Sequence, residues 1–359
     1  MTDRDPREPT KPAGEPSSSE RREFLVTAGL AGAAAAAGAL GLSGPARAQG
    51  APAQGQAAAQ PWWPSRWGKD DQIGATNHIT PEKVLDAAKL IRDGKIYRIG
   101  RVSEAEMPKF GNRAFTLRIP SNPTGGPFGN NRLIFNDEFL ATEIGQTGTQ
   151  FDGLGHIGIQ QGRDGDTSEM RYYNGLTGAE IGGSAGLKKL GIENVRPIFT
   201  RGHLVDVMAV KGAMMDVGQE VTMADLRAAL QRQNMREEDV KPGDAVFFNT
   251  GWGSLWMKDN DRYGKGEPGP GLEVARWLVE RQVVAAGADS WGLEVVPNPD
   301  PNQVFPVHGE LITKNGIHIH ENLVFDDLIA DRKYQFAYIF SPVPIKGATG
   351  SPGGPIAVT

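Results

Sequence analysis

The sequence contains no cysteine. Disulfides, catalytic thiols and thiolate metal ligands are therefore excluded, and any metal would have to sit on histidine, carboxylate, amide or backbone oxygen. An excess of one charge is missing too. The 38 lysines and arginines stand against 43 aspartates and glutamates, a net −5 over 359 residues. No basic field points to nucleic acid, and no acidic run points to a disordered tail. No internal repeat of about 20–50 residues is visible. What is abundant is glycine and proline, 47 and 25 residues. That is about a fifth of the chain, against roughly 12% in average usage. The excess predicts many turns and short strands rather than long bundled helices.

The first 60 residues read as an address and a tether. Residues 1–20 are polar and rich in proline and serine, and Ser19-Glu20-Arg21-Arg22-Glu23-Phe24-Leu25 then resembles a twin-arginine export signal. Residues 26–43 are mostly Ala, Gly, Leu and Val without charge, and Ala46-Arg47-Ala48 supplies a small-x-small cleavage pattern. A membrane anchor needs about 20 strongly apolar residues. This run is weakly apolar and leads directly to the cleavage pattern, so the expectation is a signal that is removed, leaving no stable membrane anchor. The expected organisation is a twin-arginine signal peptide over 1–48, a flexible linker over 49–60, and one folded domain over 61–359. The twin-arginine export machinery would deliver it to the periplasm or the medium. That route serves proteins that fold before crossing, which raises the expectation of a bound metal or cofactor.

Within 61–359 the periodicities predict an α/β or α+β domain on a mixed sheet. Thr80-Pro81 opens a helix with Val84, Leu85, Ala88 and Ile91 on one face. Thr222 and Asp225 form a capping box for a helix to about Gln233, and Leu272–Arg281 is helical. Strands are expected at Ile96–Val102, Phe115–Ile119, Leu133–Phe139, Leu204–Val210, Ala245–Thr250, Val283–Ala288 and Tyr334–Val343. Trp62, Trp63 and Trp67 are expected to pack an N-terminal arm over the core.

Two polar clusters carry the chemical signal. In Gln146-Thr147-Gly148-Thr149-Gln150-Phe151-Asp152, an extended chain would put Gln146, Gln150 and Asp152 on one face, with His156 four residues on. In Pro306-Val307-His308, a short helix begins; Gly316 breaks it, and Ile317-His318-Ile319-His320-Glu321 follows as a strand. Alternation aligns Glu321 with two isoleucines, so it is expected to face inward, where a carboxylate needs a partner such as a metal ion. His318 and His320 fall on the other face, expected to be solvent-side.

The first of these stretches resembles the HxGTHxDxPxH motif of the cyclase family, which includes kynurenine formamidases and isatin hydrolases. The resemblance extends to Trp67-Gly68-Lys69-Asp70-Asp71-Gln72-Ile73-Gly74, Tyr173-Asn174-Gly175, Leu204-Val205-Asp206, Pro242-Gly243-Asp244, Asn249-Thr250-Gly251-Trp252 and Gly347-Ala348-Thr349-Gly350. It implies a swivelling β/β/α single domain, a homo-oligomer, and metal-dependent hydrolysis of a small amide, cyclic amide or lactone. By the same resemblance Gln146, Gln150, Asp152, His308 and Glu321 hold one divalent ion, Mn²⁺ or Zn²⁺, and His156 is the base. Gln146 and Gln150 stand where the motif has histidines, and Leu154 where it has proline. Amide oxygen is a harder, weaker ligand than imidazole and shifts preference toward Mn²⁺.

Two other readings compete. A ligand-binding protein of the same fold without catalysis would account for the two glutamines. Gly182-Gly183-Ser184-Ala185-Gly186 fits a nucleophile-elbow string, with Asp289 and His308 in hydrolase order, but no strong apolar strand precedes Ser184.

Overall fold

Nine short strands organise the chain, in keeping with its glycine and proline content. A computed structural model describes residues 61–359; the expected signal and linker lie outside the described residues. The strands are β1 (Ile96–Arg98), β2 (Gln150–Asp152), β3 (Ile198–Asp206), β4 (Ala245–Asn249), β5 (Ala285–Ala288), β6 (His318–Glu321), β7 (Gln335–Phe340), β8 (Gly350–Pro352) and β9 (Ile356–Val358). They form one sheet in the order β1-β9-β7-β3-β4-β5-β6-β2-β8. The neighbours from β3 to β6 are parallel, and those on either flank are antiparallel. The result is the mixed-sheet α/β domain that the periodicities predict.

Parallel strands need cover on both faces. Every residue of β4, β5 and β6 is buried. The small residues of β5 let its neighbours come close: a Cβ on Gly287 would lie 2.4 Å from the carbonyl oxygen of His320. Helices α1 (Pro81–Ala88) and α2 (Met223–Arg232) begin where the capping signals place them, and α3 (Leu272–Glu280) lies within the helical run expected over 272–281. Thr222 and Asp225 form the capping box, and α3 buries Val274, Ala275, Trp277 and Leu278. The N-terminal arm packs as expected. Trp63 lies so close over Gly175 that a Cβ there would meet the indole at 2.3 Å, and the Ser65 amide donates to Asn174 Oδ1 at 2.6 Å.

Four expectations need correction. The strand expected over 204–210 runs from Ile198 to Asp206, because Asp206 caps a short helix, Val207–Lys211. The strand expected over 133–139 is two, Leu133–Phe135 and Phe139–Thr142, in separate hairpins with Gly125–Phe128 and Phe115–Arg118. The extended run expected from Gln146 begins only at Gln150, since Gly148 has φ +65. His318 and His320 are fully buried rather than solvent-side, because β6 is an internal strand. The His318 ring stacks on Phe151 at 4.8 Å, and His320 Nδ1 pairs with the Tyr338 hydroxyl at 2.6 Å.

Candidate metal centre

The antiparallel pairing of β2 with β6 brings the two polar clusters together. Glu321 stands opposite Gln150 and Ile319 opposite Asp152. Gln150 and Asp152, two residues apart, share a face, and Glu321 meets them across the ladder. The Gln150 amide donates through Nε2 to Glu321 Oε2 at 2.5 Å.

His308 arrives from a different part of the chain. Phe305 turns through φ 49 into the short helix Pro306–His308, which runs on into a π-helical segment, Gly309–Lys314. A buried carboxylate fixes that entry. Glu294 accepts the Val307 and His308 backbone N–H groups at 3.0 and 2.8 Å, and its Oε1 pairs with His308 Nδ1 at 2.6 Å. With Nδ1 engaged, Nε2 is turned toward Glu321 Oε1 at 3.3 Å and Asp152 Oδ2 at 3.7 Å. One ligand atom from each of Asp152, His308 and Glu321 falls within 4.8 Å of the others, and all three residues are buried.

The cluster is electrostatically incomplete. Asp152 Oδ2 is buried without a hydrogen-bond partner. Burial, with the Asp152 charge beside it, pushes Glu321 up to about 7, although His308 pulls the other way. Burial opposes a charge on His308, but its hydrogen bonds to Glu294 and Glu321 raise it well above the ordinary histidine value. Two carboxylates and one imidazole, with an orphaned oxygen among them, are a donor set that a divalent cation would complete.

Gln146 and His156 flank this cluster. Gln146 Nε2 donates to Asp152 Oδ1 at 3.0 Å, while its Oε1 and carbonyl accept from Arg113 at 3.2 and 3.0 Å. In this arrangement both glutamines turn amide nitrogen, not oxygen, toward the carboxylates. His156 lies in the turn after β2, its Nε2 3.9 Å from Asp152 Oδ2. Burial lowers its pKa; the Asp152 charge works against that, and His308 and Arg113 add to it. The balance favours the neutral ring over the imidazolium. A cavity of about 180 Å³ opens in front of these groups, walled by Arg113, Trp291, Phe305 and Ile157.

Ser184 lies in an exposed loop after the helix Gly178–Ile181, not on a strand-to-helix turn. Asp289 spends both oxygens on Thr250 and Gly253. The serine constellation is not assembled. Sequence reasoning missed Glu294, Arg113 and Trp291. Glu294 had a signal, a carboxylate set among Leu293, Val295 and Val296; Arg113 had none.

Residues 97–295 match the family model described as a putative cyclase. Among solved structures the chain is similar to one described as a novel cyclase, at 33% identity over 82% of this chain and 98% of that one, with a TM-score of 0.71. It is also similar to isatin hydrolase A from Labrenzia aggregata, bound to benzyl benzoate, at 19% identity over 76% and 94% of the two chains, with a TM-score of 0.52. Isatin hydrolase A from Ralstonia solanacearum aligns at 20% identity over 78% and 98%, with a TM-score of 0.51. At these identities the two isatin hydrolases speak to the fold alone. No curated protein matches the chain.

Proposed function

This chain belongs to the cyclase family, and on that premise we propose that it hydrolyses a small amide, cyclic amide or lactone with the help of one divalent cation. The observation that carries the proposal is the orphaned Asp152 Oδ2, buried beside His308 Nε2 and Glu321. Asp152, His308 and Glu321 would hold the ion, with Mn²⁺ or Zn²⁺ suited to a set of carboxylates and imidazole. When bound, such an ion polarises a carbonyl and acidifies water. Gln146 and Gln150 have an outer role, donating to the carboxylates of Asp152 and Glu321. A half-turn of the Gln150 amide would offer its oxygen to the ion instead.

The chain's own residues then divide the work. His156, neutral and at the cavity mouth, takes a proton from the attacking water as its oxygen adds to the substrate carbonyl carbon. The same imidazolium returns that proton to the leaving nitrogen or oxygen as the acyl bond breaks. Glu294 holds the His308 ring so that Nε2 keeps facing the carboxylates. Trp291, Phe305 and Phe110 wall the cavity and limit water.

Metal analysis joined to turnover tests this reading. Asp152→Ala and Glu321→Ala should each lose both metal and activity. His156→Ala should keep the metal and lose rate by about 10²–10⁴-fold, the reach of general acid–base catalysis. Chelation should abolish turnover and serine-directed reagents should leave it intact. Full metal content in Asp152→Ala would overturn the assignment. The alternative, a binding protein without catalysis, draws support from Gln146 and Gln150 in the histidine positions. It predicts stoichiometric ligand retention with no product from N-formyl aromatic amines, lactams or lactones.

We assign the protein to the periplasm or medium on Arg21-Arg22 and the cleavage pattern at Ala46-Arg47-Ala48. Changing both arginines to lysine should leave uncleaved protein in the cytoplasm. Normal export and cleavage of that variant would remove the twin-arginine route.

A further inference from the structure

The cavity at the metal centre, about 180 Å³, is smaller than the ~300–1,000 Å³ of small-molecule sites. A second space of about 290 Å³ adjoins it. Phe110, Arg113, Gln146, Gln150 and Trp291 line both. Together the two spaces reach the usual size. A ligand whose acyl group meets the metal cluster therefore extends past Arg113 into the neighbouring space.

Arg113 is the cation at that junction. It is half-buried, and its guanidinium lies 5.5 Å from the Phe110 ring centroid. Phe110 in turn stacks on Trp291 at 4.7 Å. Arg113 donates to the Gln146 carbonyl and Oε1 at 3.0 and 3.2 Å. Both acceptors are neutral, and a guanidinium carries five N–H donors. The carboxylates nearby are committed elsewhere. Asp152 and Glu321 face His308, and Glu294 holds the His308 ring and backbone. Glu143 is exposed and accepts the Ala114 amide at 2.8 Å. Among the described residues no carboxylate pairs with Arg113. In the second space Lys109 is bonded to the Ala105 and Met107 carbonyls, and the exposed Glu106 and Asp261 offset its charge. Burial is the main influence on His156 and Glu321, yet the Arg113 charge acts on both. The uncompensated cation thus stands close to the reaction centre.

A guanidinium in this state is suited to an anionic oxygen group, which it holds through two parallel N–H bonds. The confined space favours a planar carboxylate over a bulkier phosphate. We propose that Arg113 selects substrates that bear a carboxylate besides the scissile acyl group. The inference rests on the hydrolase reading of the metal centre and adds a substrate class to it.

Two matched pairs of compounds test it: 3-formamidobenzoate with 3-formamidobenzamide, and benzoate with benzamide. Each pair differs by one charge. On the metal-loaded protein, kcat/KM should favour the formamido acid over its amide by at least about tenfold, through KM rather than kcat. Calorimetry should show benzoate binding at least about tenfold tighter than benzamide. Arg113→Met should erase both preferences, and Arg113→Lys should keep part of each because the charge remains. Equal binding of benzoate and benzamide, or no benzoate binding at millimolar concentration, would overturn the proposal. So would a benzoate preference that survives Arg113→Met, which would place the carboxylate on the metal. Turnover of both formamides without preference for the acid removes the role of Arg113 and leaves the hydrolase. Benzoate selectivity that Arg113→Met erases, with no turnover of either formamide, favours the binding protein without catalysis and leaves the carboxylate site.

Discussion

A histidine three to four ångströms from a buried carboxylate is usually a better base than one in water, but His156 is held down. Burial outweighs the Asp152 charge, so its pKa lies below the ordinary 6.5. Deprotonated His156 is the active form in the proposed mechanism. Rate should therefore be flat through neutrality and fall only as pH drops below about 6.5, when the imidazole begins to protonate. A kcat profile on the metal-loaded protein checks this, and a limb centred above 7 would show that another group is the base. Glu321 was legible as an inward-facing residue because strand alternation sets it beside two isoleucines, and Asp152 because it keeps its place in the family motif. Gln146 was legible as a site residue, though for a faulty reason. The strand expected to carry it is interrupted at Gly148, and a turn brings it back to Asp152. Arg113 could not be found, since it meets Gln146 from 33 residues away with no local pattern to mark it.

At the scale of elements, the start of β4 is tied to α1 through one carboxylate. Asp244 is fully buried and pairs with His203 Nε2 at 2.8 Å and with Lys83 Nζ, and it also accepts the Lys241 amide at 2.9 Å. Burial works against its charge, but His203 and Lys83 outweigh that and hold its pKa below the ordinary 3.8. A folded-state pKa that is depressed gives stability present above 3.8 and lost as pH falls through the lower folded value. Asp244→Ala should cost about 3 kcal/mol near neutrality, the usual result of breaking one side of a buried pair. In urea titrations the gap between the two proteins should narrow as pH falls below 3.8; an equal gap at pH 5 and pH 3 would refute the linkage. Element boundaries were least legible where a side chain decides them. The Asp206 cap cuts a strand short. The burial of His318 and His320 depends on β2 lying beyond β6, a pairing across more than 160 residues that periodicity does not encode.

For the whole molecule, the sheet order and the metal cluster follow from pairing, but the region around 110–140 points outward. Its two hairpins leave Leu117, Phe128, Leu133, Ile134 and Phe139 more than half exposed. Apolar surface exposed on adjoining strands is the mark of an interaction face. We assign it to a second copy of this chain, so light scattering at micromolar concentration should report an oligomer, and Phe128→Asp with Leu133→Asp should yield monomers. A monomeric unsubstituted protein would remove the assignment. The family resemblance implies an oligomer but not which surface would form it, because exposed apolar residues in short strands read like core strands in a sequence.

The two hairpins form an arm that begins just after Arg113 and ends just before Gln146, the two residues that border the candidate metal cavity and bond to each other. Whatever steadies the arm therefore steadies that border. On the assignment of this face to a second copy, turnover per molecule should then depend on dilution: constant where two copies are associated, and falling below the concentration at which they part, even with metal and substrate saturating. An assay series spanning micromolar to sub-nanomolar protein would read this directly, and strictly proportional rates across a measured dissociation would uncouple the arm from the cavity it frames.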